Sequence, residues 1–244
     1  MPGAMRSARR LPALILLALV VQGCGPDAST REYLTALRGE ETGMTREQQI
    51  QHLDHAIALT PDRAFLYETR ATYRIDLKQF DAALADLDRD IALLDRPYAR
   101  FMRGLVWCQM GEYPRSLPDF DRAIAVQPRN TQFYRGRSLA RLATGDAVGA
   151  LADAEHLVVA VPQQAESYYA RGMARARLGR DPEAIADFDR AAAIRPELVY
   201  VVEARAAAYA RRGDDGRAAG DRHLADSLRA EQGGCAACLD PFRY

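Results

Sequence analysis

Residues 165–198 read AESYYARGMARARLGRDPEAIADFDRAAAIRPEL: two apolar-periodic runs separated by a glycine and closed by a proline. Tyr168 and Gly172 lie one helical turn apart in the first run, as do Ala184, Phe188 and Ala191 in the second, a helical rather than a strand period. Gly179 divides the runs and Pro196 ends the second. These landmarks return elsewhere in the chain. Pro128, Pro162 and Pro196 are each 34 residues apart, and so are Gly111, Gly145, Gly179 and Gly213. A period of this length marks stacked supersecondary units, each covering the apolar face of its neighbour. Such an array presents a binding surface more readily than an active site.

Working outward, the copy at 97–130 keeps Gly104, Trp107, Gly111, Tyr113, Phe120, Ala123 and Pro128. Weaker copies occupy 64–96, 131–164 and 199–232. The first has Lys78 in its turn and is one residue short; the second has Ser138 for the packing glycine and Ala154 for the aromatic. A divergent unit is expected at 30–63, where Tyr33, Leu37, Leu53, Ala56 and Pro61 keep the spacing. The copy at 199–232 reads either as a repeat or as a pair of C-terminal capping helices. Each unit predicts two helices of roughly 12–15 residues. Pro114 and Pro182 fall at the start of second helices, where a missing N–H is harmless. Pro118 lies further in and predicts a distorted or late-starting second helix.

One feature recurs more faithfully than the packing landmarks. Arg70, Arg103, Arg137, Arg171 and Arg205 stand in the five first helices, and an aspartate follows each 16 residues later, at Asp86, Asp119, Asp153, Asp187 and Asp221. This predicts structural ion pairs at a partly buried position, joining the helices of a unit or adjacent units. The other reading is a solvated face inherited through repeat duplication.

These landmarks resemble the tetratricopeptide repeat, a helix-turn-helix unit with small residues where its helices touch and aromatics where they interlock. The resemblance implies an all-α fold, a right-handed superhelical solenoid of antiparallel helix pairs with about five full repeats and one divergent N-terminal repeat. It also implies a concave groove, lined by the first helices, that holds an extended or helical peptide. Carried over position by position, the groove candidates are Tyr98, Phe101, Leu105, Cys108 and Gln109, then Gln132, Arg135, Leu139 and Leu142, then Glu166, Tyr169, Met173, Ala176 and Arg177. That lining is mixed, suited to an amphipathic segment more than to an acidic tail. Several of these side chains have a second reading, as packing against neighbouring helices.

The N-terminal stretch is of another kind. Arg6, Arg9 and Arg10 precede an apolar run from Leu11 to Val21, too short to span a bilayer, where about 20 residues are needed. It reads as a secretory signal over residues 1–23. Val21-Gln22-Gly23-Cys24 resembles the bacterial lipobox, which implies cleavage before Cys24, a diacylglyceryl group on its thiol and a short linker at 24–29. Gly25, in place of Asp, implies export to the outer membrane, with the protein on its periplasmic face. An ordinary secretory signal giving an unlipidated periplasmic protein is the alternative. Processing at that point would leave 30 basic against 33 acidic residues, a net charge near −3.

Composition excludes other classes. Acidic and basic residues interleave without a basic stripe, so nucleic acid is not an expected partner. Residues two apart on a helix diverge by about 200°, so the Asp-Phe-Asp runs at 119–121 and 187–189 cannot share a proton or a metal, and no enzyme is expected. His52 and His55 have ligand-compatible spacing but no third ligand in reach of the sequence pattern, and neither a metal nor any cofactor is expected. Cys235 and Cys238, in the tail at 233–244, leave three readings: a small disulfide loop, free thiols, or a redox or metal function.

The whole pattern resembles the small bacterial tetratricopeptide lipoproteins of the new lipoprotein I type. That implies a membrane-anchored periplasmic adaptor whose partner is another protein or a peptide segment of one. The alternative is a periplasmic thiol-redox or metal-carrier protein using Cys235 and Cys238.

Overall fold

The computed structural model describes residues 26–231. The expected signal peptide, Cys24, and the Cys235 and Cys238 pair lie outside the described residues. Every element among the described residues is a helix, and none is long and apolar enough to cross a membrane. The chain divides between Asp95 and Arg96 into two compact units.

The first unit holds α1 (Ala28–Leu37), α2 (Gly39–Thr42), α3 (Arg46–Leu59), α4 (Ala64–Asp76) and α5 (Phe80–Leu93). Here α1 and α3 form the divergent pair, with the single turn α2 inserted between them. Gln49 fills the space beside that turn: a Cβ on Gly39 would sit 2.4 Å from its Nε2, which donates to the Ala36 carbonyl at 2.8 Å. Asp27 caps α1 by accepting from the Thr30 N–H at 2.7 Å. Helices α4 and α5 form the next pair.

The second unit stacks four pairs: α6 (Pro97–Gln109) with α7 (Tyr113–Val126), α8 (Thr131–Thr144) with α9 (Ala147–Ala160), α10 (Ala165–Arg177) with α11 (Asp181–Ile194), and α12 (Val199–Arg211) with α13 (Asp215–Glu231). Phe120 on α7 is fully buried between two first helices, touching both glycines that make room for it. A Cβ on Gly104 of α6 or Gly136 of α8 would lie 2.8 Å from its Cε1. Phe188 repeats the arrangement against Gly172, at 2.6 Å. Each buried ring contributes about 2–3 kcal/mol through the apolar area it removes from water.

The weaker copies keep this plan by other means. In the α8–α9 pair the bulk moves one turn along the second helix: Ala154 and Leu157 are buried where the neighbours have Phe120 with Ala123 and Phe188 with Ala191. Ser138 then replaces the packing glycine and donates to the Ala150 carbonyl at 3.1 Å. At the matching place α13 carries the exposed Arg222, a polar residue of the kind that caps a repeat stack. Pro118 does not delay its helix. The α7 helix begins at Tyr113 with Pro114 in its first turn and runs unbroken through Pro118, whose ring lies on the exposed side.

The five turns share one geometry. The residue after the turn position donates to the carbonyl five back, as in Glu112 to Trp107 at 2.9 Å and Arg180 to Arg175 at 2.9 Å, which needs a left-handed residue between. Gly111, Gly145, Gly179 and Gly213 supply it; in the α4–α5 turn Lys78 is forced to φ 58°. Because a Cβ is penalised there, Lys78→Gly should raise stability by about 0.5–1 kcal/mol, even after the glycine's greater freedom in the unfolded chain. Urea unfolding would register this as a higher midpoint at constant slope, and a lower midpoint would contradict it.

Candidate functional site

The buried second-helix aspartates set the frame of the whole surface. Asp86, Asp119, Asp153, Asp187 and Asp221 are at most 8 % exposed. Each lies opposite the arginine 16 residues before it and accepts two hydrogen bonds from that guanidinium. Nε and Nη2 reach the two carboxylate oxygens at 2.8 and 2.6 Å for Arg103–Asp119, 3.0 and 2.6 Å for Arg137–Asp153, and 2.8 and 2.7 Å for Arg205–Asp221. Arg70 grips Asp86 and Arg171 grips Asp187 in the same fork, with Nη2 at 2.5 and 2.6 Å. A planar guanidinium suits this two-point grip, which a lysine could not reproduce.

The same arginines also reach backwards. Nη1 of Arg70 meets Asp54 at 2.6 Å, that of Arg137 meets Asp121 at 2.7 Å, and that of Arg205 meets Asp189 at 2.7 Å. The two carboxylates of each Asp-Phe-Asp run therefore point apart and serve different arginines. Asp119 holds its own pair together, and Asp121 ties that pair to the next. Burial works against the Arg137 charge, but its hydrogen bonds to Asp153 and Asp121 outweigh this and raise its pKa above the ordinary arginine value.

Sequence reasoning missed a second arginine one turn further along three first helices. Arg74, Arg141 and Arg175 donate from Nη1 to Asp86, Asp153 and Asp187 at 2.7, 2.9 and 2.7 Å. The spacing of four from Arg70, Arg137 and Arg171 was visible. It is interrupted because Trp107 and Tyr209 stand at that place in the other two repeats, where the ring lies against a second-helix guanidinium, Arg115 at 3.5 Å from Trp107 and Arg217 at 4.6 Å from Tyr209; the second arginine on Asp119 is Arg100 of the first helix, at 3.3 Å.

The groove candidates separate into three groups. Phe101, Leu105 and Cys108 are 5, 6 and 9 % exposed and pack with Phe120, Ile124 and Phe133, so they belong to the core and not to an open lining. Burial also raises the Cys108 thiol pKa, which leaves it protonated and unreactive. Tyr98, Gln109, Gln132 and Arg177 are exposed on α6, α8 and α10. Between these extremes lie Arg135, Leu139, Leu142, Glu166, Tyr169, Met173 and Ala176, half-buried on first helices. Of these, Glu166 pairs with Arg195 at 2.8 Å, and Tyr169, Met173 and Ala176 rest on the Phe188 cluster. Among the histidines, His52 Nδ1 contacts Glu32 Oε2 at 2.6 Å and His156 stacks on Tyr134 with ring centroids 4.0 Å apart. No group of three or more His, Cys, Asp or Glu side chains that could hold a metal ion occurs among the described residues.

Fold and frame together define a helix-pair repeat protein. Residues 165–198 match the tetratricopeptide repeat family model, and the fold is that of a tetratricopeptide repeat solenoid. Solved structures with the same fold include MamA residues 41 to the end from Desulfovibrio magneticus RS-1, 21 % identical with a TM-score of 0.63, over 69 % of this chain and 96 % of that one. YrrB, described as a TPR protein with an unusual peptide-binding site, is 17 % identical with a TM-score of 0.64 over 78 % and 96 %. PilW, described as a widely conserved type IV pilus biogenesis factor, is 15 % identical with a TM-score of 0.68 over 89 % and 98 %. A comparison with curated proteins finds no significant match.

Removing one member of a buried pair strands the other charge. Among the described residues Asp221 is held by Arg205 without a second arginine, so Arg205→Met should destabilise by about 3 kcal/mol, and the double change Arg205→Met with Asp221→Leu by clearly less, since the buried carboxylate is then no longer left alone. Chemical denaturation of the wild type, both single variants and the double variant measures the coupling; a strictly additive double variant would refute it.

Proposed function

We propose that this protein is a lipid-anchored scaffold on the periplasmic face of a bacterial outer membrane, which recruits another protein through the first-helix faces of its repeats. The observation that carries the reading is the division of labour between recurring and varying residues. The Arg–Asp fork recurs in every full repeat, whereas the exposed and half-buried first-helix positions change from Tyr98 to Gln132 to Glu166 and from Leu139 to Met173. A surface that varies on a constant frame can be selective without disturbing the fold. Support also comes from YrrB, a neighbour of the same fold whose description names a peptide-binding site. The anchor rests on the Val21-Gln22-Gly23-Cys24 pattern alone. The alternative, a thiol-redox or metal carrier, rests on Cys235 and Cys238, and a reversible thiol titration of the mature protein would favour it.

Two outcomes test the proposal. Cys24→Ser should move the protein from the membrane to the soluble envelope fraction, and mass spectrometry of the wild type should find the mature chain starting at a diacylglycerated Cys24. Affinity capture from detergent-solubilised membranes should retain a partner about tenfold less well when Gln132→Glu and Arg177→Glu are combined, both being exposed and dispensable for folding. Equal retention by wild type and variant would place binding elsewhere.

A further inference from the structure

The start of α1 is fastened to the end of α3. Ser29, in the first turn of α1, donates from Oγ to the Ala56 carbonyl at 2.9 Å and lies against the Thr60 hydroxyl just beyond α3. Arg63, which precedes α4, spans the same junction: Nη2 donates to Asp27 at 2.7 Å and Nη1 to the Thr30 hydroxyl at 3.0 Å. Arg31 turns back to the Pro26 carbonyl, at 2.7 Å. From Pro26 onward the chain is therefore held to the segment 59–63, and together they make one edge of the first unit.

That edge carries an apolar tip in a polar rim. Leu59 is 54 % exposed, and Ala58 and Pro61 beside it are exposed as well. Around them Arg63 and Asp27 cancel one another, while the exposed Arg31 and Asp62 carry one charge of each sign. An exposed leucine alone names no occupant, since Val126, at the same place in its own repeat, is 50 % exposed. Leu59 differs in what lies next to it. Only two residues of chain lead from Cys24 to Pro26, a reach of at most about 7 Å when fully extended. A diacylglyceryl group on Cys24 would hold that residue at the lipid surface, and would keep Pro26, with the edge fastened to it, within about the depth of the headgroup layer.

We propose that Leu59, Pro61 and the start of α1 form a membrane-contact edge, with Leu59 resting at the boundary between headgroups and acyl chains and the charged rim lying among the headgroups. This rests on the reading of Cys24 as a lipid anchor and adds an orientation to it: α3 points its C-terminal end at the bilayer and its N-terminal end away. A single leucine would not bind a membrane from solution. The short tether makes the contact intramolecular, so that a small apolar surface suffices.

The test uses the mature chain with its own lipid, extracted in detergent and reconstituted into vesicles of phosphatidylethanolamine and phosphatidylglycerol whose acyl chains carry bromine as a quencher. Trp107, the only tryptophan in the chain, gives the baseline emission. Leu59→Trp and Glu47→Trp add a reporter at exposed positions near the two ends of α3, about 18 Å apart along the helix. Relative to unbrominated vesicles, the added emission should fall about twofold in Leu59→Trp and stay unchanged in Glu47→Trp. Equal quenching in the two variants, or none above baseline in Leu59→Trp while the protein floats with the vesicles, would overturn the edge and leave the anchor intact. Protein that does not float with the vesicles at all would instead remove the anchor, and the edge with it.

Discussion

Everything in this protein is arranged around a carboxylate that cannot reach water. An aspartate at the inner edge of a second helix would be expelled from the core if it were left ionised and alone, since the cost of desolvating a charge runs to several kcal/mol. The arginine 16 residues earlier cancels that cost only when its helix lies antiparallel and at one particular register, because the two-point fork tolerates little sliding. The pair thereby specifies geometry more than it adds stability. Its third hydrogen bond extends the same constraint to the preceding pair, at Arg70–Asp54, Arg137–Asp121 and Arg205–Asp189. Between α9 and α10 that place is taken by Glu155, which acts on Arg171 through its charge.

The apolar core follows this frame and adapts to it. Where glycine stands on the first helix, a phenylalanine ring enters; where serine stands, the ring gives way to Ala154 and the volume returns one turn later as Leu157. Volume is conserved while its position shifts, the kind of exchange that packed cores accept at small cost. The place four residues after the fork arginine varies as well: Arg74, Arg141 and Arg175 donate from it to the buried aspartate, while Trp107 and Tyr209 put a ring there that a second-helix arginine covers.

This adaptability explains what could be read in the sequence and what could not. The 34-residue step, the turn glycines and the Arg–Asp spacing are legible because each is demanded at one fixed position by backbone sterics or by charge burial. The second arginines are obscured because two repeats carry an aromatic residue, Trp107 or Tyr209, at that place. Phe101, Leu105 and Cys108 read as groove residues in the sequence because core and groove share one stripe of a first helix, and periodicity alone does not say which side of that stripe a neighbour covers. Pro118 leaves α7 unbroken because its ring lies on the exposed side of an early turn, where the helix absorbs the loss of a single hydrogen bond.

The same distinction separates the residues that hold the structure from those that use it. A buried polar group in the frame always has a partner: the aspartates have their arginines, Ser138 has the Ala150 carbonyl, and Gln49 has the Ala36 carbonyl. Duplication of a repeat copies such pairs together, because either member alone is destabilising. The exposed first-helix residues carry no such obligation. Tyr98 and Gln132 stand at the same place in successive first helices and both are exposed, so that place changes from repeat to repeat without leaving a buried charge alone. Selectivity can therefore vary on a frame that does not.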